Sequence, residues 1–482
     1  MLLNKDILLH ILTLVPLEDA LSFISVSRDY RQLGEEKSLW IHLLDAVKKT
    51  QPLPCPDDVD LLGKSVKELK RLAFHTVRRE HRWSSETKNI NYRDYTMIQL
   101  GPGYSLIHSI AGTPLLVVHS ERDGTAVCYN IDTTRFLHSV HIGQAVFHIS
   151  LVLTPAPGQK THLIALLVTE ELAVDYRGGH ASLLVLAVHP DGTMDIPFRT
   201  ELGTGFTFGQ LFLNHSIVGL LRSLDLETLD ILAFNLTSRA CRIIHTDTLY
   251  DAQMGAYLDT NLYIVKDRSA NSSNVYYCPS SLLPYQDFHD KLLHVADTLQ
   301  WDDHGIRWWD GLSIGVDASL SGLGTWFEAL GVMTAAPAGR GAALVTIHHI
   351  NVDHESEARA INLRYWSYRE KKADGDVTPS RRLTPVYTLN LWGMLATGGS
   401  LSRHRHLIAY SGLSVLLVDQ YFHRRSVRLV RYRPCAASSS IHLLDLPSEL
   451  SLNTISTIAL DDHRGTITLL DQSGDLYSIF YA

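Results

Sequence analysis

Three short runs near the C-terminal end decide the fold: Thr454-Ile-Ser-Thr-Ile-Ala-Leu460, Gly465-Thr-Ile-Thr-Leu-Leu470 and Asp475-Leu-Tyr-Ser-Ile-Phe-Tyr481. Each has the length and β-branched or aromatic content of a strand, and the Ser473-Gly474 pair supplies hairpin-turn chemistry before the last. Three strands leave a sheet edge open. A fourth run, Tyr95-Thr-Met-Ile-Gln-Leu100, lies at the other end of the β-rich region. Placed beside the last strand, it would complete a four-stranded unit. It would also join the two ends of the region and remove two edges.

Working outward, the same pattern fills everything between. Apolar runs recur at Pro114–His119, Thr125–Asn130, His162–Val168, Ser182–Val188, Ser216–Leu221, Leu262–Val265, Ala342–His348 and Ser414–Val418. Other stretches alternate: Ile361, Leu363 and Tyr365 against Asn362 and Arg364, or Val427 and Leu429 against Arg428. Unbroken runs mark strands covered on both faces, and alternation marks one wet face. Both kinds together suit sheets stacked around an axis, with buried inner strands and wetter outer ones. Asp123-Gly124, Gly178-Gly179 and Asp191-Gly192 add turn signals. Grouping strands by four gives units starting near residues 105, 146, 206, 253, 326, 392 and 454, a step of about 55–60 residues against roughly 40–50 for common propeller repeats. The expected domain is a β-propeller of six or seven blades. It resembles a degenerate WD-repeat propeller in architecture only, because Trp301-Asp302 and Trp309-Asp310 lie close together rather than one per blade. Residues 279–325 read as an irregular excursion and 369–382 as a charged exposed loop.

Before residue 95 the pattern is helical. Asn4 is a good N-cap, and Ile7, Leu8, Ile11, Leu12 and Val15 recur at helical spacing. Pro16 stops that helix and is well placed before a second, Leu17–Ile24, whose first turn holds Glu18 and Asp19. A third runs from about Ser27 to Leu33, ending at Gly34, and Leu39-Trp40 follow in an otherwise charged segment. Pro52, Pro54 and Pro56 then forbid a helix. Ser65 and Glu68 have capping-box spacing for a further helix with Val66, Leu69, Ala73 and Val77 as its apolar stripe. From Lys64 to Arg93 nine Lys/Arg stand against three Asp/Glu. That basic tract reads as a solvated face, or as a patch for an acidic partner or RNA.

The first forty residues resemble an F-box. The matching text is Leu3-Asn4, Ile7–Leu12, Val15-Pro16-Leu17-Glu18-Asp19-Ala20-Leu21, Val26-Ser27-Arg28 and Leu39-Trp40, in the family's order and spacing. Asn4 stands where the family has Pro, and Ala20 where it has Leu. The basic tract after it resembles the linker of fungal F-box proteins. The resemblance implies docking on a small Skp-type adaptor and, through it, on a cullin scaffold of a ubiquitin ligase. The docking residues it points to are Leu3, Ile7, Leu8, Leu12, Val15, Pro16, Leu21, Val26 and Trp40. Three short helices cannot bury so many large apolar side chains among themselves, so the surplus must face the rest of the chain or a partner.

Composition narrows the other classes. The 482 residues are 45% hydrophobic and 20% charged, an ordinary globular mixture. A net charge of −8 argues against nucleic acid as a partner, and no apolar run is long enough for a transmembrane helix, so no membrane association is expected. Cys55, Cys128, Cys241, Cys278 and Cys435 are scattered, which fits neither a zinc module nor a disulfide framework and suggests a cytoplasmic or nuclear compartment. Gly311-Leu-Ser313-Ile-Gly315 has nucleophile-elbow text without the strand–helix context that motif needs. His348 and His349 would point to opposite faces of a strand, so they do not share a metal. No cofactor or metal is expected. A second basic patch comprises Arg403, Arg405, Arg424, Arg425, Arg428, Arg431 and Arg433 against Asp419 alone. It reads as outer-strand surface or as a grip for an acidic or phosphorylated substrate protein.

The expectation is an α+β multidomain chain. An all-α F-box-like module occupies 1–48, a Pro-rich connection and basic linker helix 49–94, and a large all-β propeller 95–482. Its function would be that of a non-catalytic, substrate-recruiting ligase adaptor. The alternatives are a propeller enzyme or sugar-binding protein with an accessory helical domain, or an F-box scaffold outside any ligase.

Overall fold

The computed structural model describes residues 4–57, 59–83, 89–150, 159–170, 181–202, 207–223, 228–249, 255–258, 262–269, 272–278, 280–285, 297–300, 325–331, 344–351, 359–370, 381–395, 405–409, 411–421, 424–433, 438–452 and 454–482. Over much of 247–425 the backbone alone is described.

Five helices come first: α1 (Lys5–Leu14), α2 (Leu17–Val26), α3 (Arg28–Leu33), α4 (Lys37–Lys48) and α5 (Val66–Trp83). The Asn4 side chain caps α1 by accepting from the Asp6 amide at 3.3 Å. Pro16 holds the N-cap position of α2, and Ser27 accepts from the Tyr30 amide at 3.1 Å to start α3. The Asn4 and Ser27 side chains satisfy amides that the first turns leave without intrahelical partners, whereas Pro16 makes no cap bond. Helix α4 extends the helical region past Leu39-Trp40, and its Leu39, Trp40, Leu43 and Leu44, one turn apart in pairs, are all buried. At α5 the capping box forms in both directions: the Ser65 amide donates to Glu68 Oε2 at 2.8 Å and the Glu68 amide to Ser65 Oγ at 3.3 Å.

The β-region is antiparallel throughout its hairpins, and its described strands fall into seven sheets. In chain order they occupy residues 104–141, 145–201, 207–249, 255–278, 325–395, 405–444 and 455–480. Several are four-stranded and fit propeller blades. The last sheet takes in Asp94–Gln99, which pairs antiparallel with Asp475–Phe480 from Asp94↔Phe480 to Gln99↔Asp475. The closure expected from Tyr95–Leu100 is therefore present. First strands of successive sheets lie side by side: Ala145–Ile149 beside Thr207–Leu213, Thr207–Leu213 beside Gly255–Leu258, and Ile455–Asp461 beside Tyr104–Ser109. The strand Ala181–Val188 is buried along its whole length, as an unbroken apolar run requires.

Six of the seven sheets begin within two residues of the expected starts. The sixth begins at Arg405 rather than near 392. Trp392 lies inside the 15-residue strand Arg381–Leu395, which pairs with the 12-residue Arg359–Glu370. This long hairpin made one strand look like the start of the next unit. It also carries part of the expected charged loop, pairing Arg369 with Arg382 and Glu370 with Arg381. Within the expected excursion 279–325, Asp297–Gln300 adds a parallel strand beside Arg242–His245. The Gly311–Gly315 motif lies outside the described residues. Among the described residues no helix is long and apolar enough to cross a membrane.

Candidate protein-docking site

Helix α1 carries two apolar faces. Leu12 is 3% exposed and packs with α2 and α4 residues, including Leu21 and Trp40, with Leu8, Leu9 and Val15 against the same cluster. The other face holds Ile7, Ile11 and Leu14, exposed by 49, 42 and 73%. These three sit at i, i+4 and i+7, so they form one stripe along the helix. Val26, at the end of α2, is 74% exposed, and Pro16 is also exposed.

The nine expected docking residues therefore divide. Ile7, Pro16 and Val26 lie at the surface, Leu8 and Val15 are half-buried, and Leu3 lies outside the described residues. Leu12, Leu21 and Trp40 are internal core, so their assignment as docking residues is corrected. Trp40 is 1% exposed and donates from its indole nitrogen to the Gly34 carbonyl at 2.7 Å, closing the turn between α3 and α4. Ile11 and Leu14 were missed as surface groups, because helical periodicity finds apolar positions without saying which of two apolar faces turns outward. Ala20 is fully enclosed, so its departure from the family's Leu changes internal packing rather than the surface.

The helical module is fastened to the β-region through α5 and the Pro-rich connection. Arg79 is wholly buried. Its Nη1 donates to the carbonyls of Asp462 and His463 at 2.9 and 2.7 Å, and its Nη2 to the Pro52 carbonyl at 2.6 Å. One guanidinium thus joins the linker, α5 and the loop before Gly465. Its neighbour Glu80 receives both terminal nitrogens of Arg431. Burial works against the charged Glu80 carboxyl, but Arg431 and Arg79 outweigh it and hold its pKa down at about 2. Arg431 also lies over the buried Trp83 ring, 5.1 Å from its centre. Below, His463 stands between Asp57 of the linker and Asp462, with ring nitrogens 3.4 Å from a carboxylate oxygen of each. Burial disfavours its charge, yet Asp57 and Asp462 prevail and raise its pKa to about 9.

This arrangement removes one arginine from each basic patch. Arg79 is a buried structural group, not part of a solvated helix face. Arg431 is 3% exposed and is committed to Glu80, so it is not a surface grip for an acidic substrate. It shares a strand face with Val427 and Leu429, which puts it under α5. Arg428 and Arg433 are half-buried. Arg424 and Arg425 open the strand Arg424–Arg433, and Arg405 opens Arg405–Ile408; Arg403 lies outside the described residues. At this junction a groove of 440 Å³ runs between the α1–α2 turn, α4 and α5. Val15, Pro16, Val47 and Val77 give it an apolar wall, and its polar residues are Glu18, Thr50, Gln51, Thr76, Glu80 and Arg433.

Burial pushes the Cys128 and Cys278 thiols up to about 12 and Cys241 to about 11. At neutral pH all three remain protonated, Cys128 and Cys278 in the core and Cys241 half-buried at its edge. Among the described residues no group of His, Cys, Asp and Glu is placed to hold a metal ion.

No family model and no curated protein matches the chain. Among solved structures it is similar to the β-propeller domain of Cps50 (Swd1) from Myceliophteria thermophila, at 11% identity and a TM-score of 0.42, covering 80% of this chain and 99% of that one. It is also similar to the WD40 domain of SCAP from fission yeast, at 9% identity and a TM-score of 0.35, covering 78% and 82%. A third similar structure is an oligogalacturonate lyase from Vibrio parahaemolyticus, at 8% identity and a TM-score of 0.42, covering 80% and 96%.

Proposed function

We propose that this chain is a substrate-recruiting adaptor subunit of a Skp–cullin–F-box type ubiquitin ligase and performs no chemistry itself. The observation that carries this reading is the unpartnered stripe of Ile7, Ile11 and Leu14 on α1. Three large aliphatic side chains aligned on one exposed helix face are a surface built to be covered. They belong to a module whose residue string resembles an F-box, so the proposed cover is the Skp-type adaptor, with Pro16 and Val26 at the margin. The β-region, read as a seven-bladed ring from its seven sheets and closing strand, would hold the substrate protein on one rim. The buried junction around Arg79 would keep the dock and that platform in fixed relation.

The test is retention of a purified Skp-type adaptor by the full-length chain. The wild type is expected to retain it, and Ile11→Asp with Leu14→Asp to release it at an unchanged melting temperature. No retention by the wild type overturns the docking. Retention without subsequent capture of cullin reduces the chain to a scaffold outside the ligase.

A further inference from the structure

Helix α5 keeps one side for the protein and turns another away from it. Leu69, Ala73, Thr76, Arg79 and Trp83 are buried. Lys67, Arg71, Phe74, Arg78 and His81 are all exposed. The exposed set recurs at steps of four, three, four and three residues, so it forms a single ridge about 21 Å long opposite the buried side. At its centre Phe74 is 57% exposed, with an arginine one turn away on either side. Other charged groups near the helix are occupied: Lys70 pairs with Glu35 at 2.6 Å, and Arg82 donates to the Tyr481 carbonyl at 3.3 Å. Among the described residues no carboxylate pairs with Lys67, Arg71 or Arg78. His75, beside Phe74, is held down at about 4 by burial first and then by Arg79, Arg464, Arg78 and Arg71.

We propose that this ridge of α5 is a docking face for an acidic, amphipathic segment of a partner protein, with carboxylates opposite Lys67, Arg71 and Arg78 and an apolar side chain on Phe74. Charge complementarity selects the occupant. A second copy of the ridge would set cation against cation. A phosphate backbone is usually tracked along a groove, whereas this ridge is a single convex helix on a chain of net charge −8. Cations spaced around an exposed phenyl ring at helical intervals match a helical peptide lying alongside, which is read through i, i+4 and i+7 anchors. The ridge is separate from the α1 stripe, and its occupancy does not depend on adaptor binding.

The test uses the full-length chain and three labelled probes at 150 mM salt, where the Debye length is about 8 Å. They are a 20-residue Glu/Leu helix with leucines at heptad spacing, the same helix with Lys for Glu, and a 20-nucleotide poly-U RNA. Fluorescence anisotropy is expected to show binding of the acidic helix alone. Arg71→Glu with Arg78→Glu should weaken it at least tenfold, and Phe74→Ala several-fold. Arg122→Glu with Arg135→Glu, the same charge change at exposed sites of the β-region, should leave it unchanged. The proposal is overturned by no binding of the acidic helix, by an equal loss in that control, or by RNA bound as tightly and released by the ridge variants.

Discussion

Arg431 holds the carboxylate of Glu80 with both terminal nitrogens, at 3.0 and 2.9 Å, across 351 residues of sequence. The pair is mostly enclosed: the side chains are 4 and 23% exposed. Removing one partner leaves the other charge buried with part of its compensation gone, whereas removing both leaves only Arg79 to lose a carboxylate partner, at 3.1 Å, while it keeps its carbonyl acceptors. Glu80→Met and Arg431→Met should each lower stability by roughly 3 kcal/mol, and the double variant by clearly less than the sum. Urea unfolding followed by tryptophan fluorescence checks this. As a control, the exposed Lys5–Glu36 pair should contribute about 0–1 kcal/mol. Additive losses at Glu80 and Arg431 would show that the pair carries no coupling.

The junction should also respond to pH, in two windows. The His463 pKa is raised from 6.5 to about 9 in the folded chain. A raised pKa means that the folded state binds the proton more tightly. Its contribution is complete below pH 6.5 and is lost as pH rises toward 9, on the order of 3 kcal/mol. Glu80 has the opposite sign: its pKa is lowered from 4.5 to about 2, so its contribution is present above 4.5 and lost as pH falls toward 2. Melting temperature should therefore fall between pH 7 and 9, and His463→Gln should flatten that fall while leaving the acid limb in place. A variant with the wild-type alkaline slope would assign the effect to another group.

Gly112 is where the Pro-rich connection rests on the first sheet. Its φ is +73°, and a Cβ there would lie 2.3 Å from the Cys55 carbonyl carbon and 2.5 Å from the Pro56 nitrogen. Backbone cannot yield as a side-chain tip does. The Gly112 amide also donates to Asp461, at 3.1 Å to Oδ2. Gly112→Ala should therefore lift the connection from the β-region, adding about 1 kcal/mol of left-handed strain to the clash. Limited proteolysis should then cut within 51–62 several times faster than in the wild type. An unchanged rate would mean that the connection is held elsewhere.

These contacts mark where sequence reading stops. The closing strand Tyr95–Leu100 was legible because strand pattern and the missing-strand argument are local or topological. The same is true of the cap at Asn4 and of the capping box at Ser65 and Glu68. Arg79 was not legible: its carbonyl partners at Asp462 and His463 are 383 and 384 positions away, and a basic residue near an amphipathic boundary looks solvated in one dimension. Arg431 failed in the same way, since its cluster of arginines suggested surface while its partner lay in another module. On α1, Ile7 and Leu8 carry similar hydrophobicity on adjacent faces, and packing by α4 decides between them.

The closing strand offers a test in which two adjacent residues should behave oppositely. Met97 and Ile98 pair with Tyr477 and Leu476, so they point to opposite faces of the same sheet. Ile98 packs against the core cluster that holds Leu106, Val118, Leu470 and Leu476, whereas Met97 is 44% exposed. An aspartate at 98 would bring an unpaired charge against that core and loosen the strand. The partner strand Asp475–Phe480 would then be left with an open edge, a template for pairing with other chains. Ile98→Asp should cost about 2 kcal/mol or more and give concentration-dependent oligomers on size-exclusion chromatography. Met97→Asp should stay within about 0.5 kcal/mol and run as the wild type. Equal behaviour of the two variants would mean that the strand is not holding the two ends of the ring together.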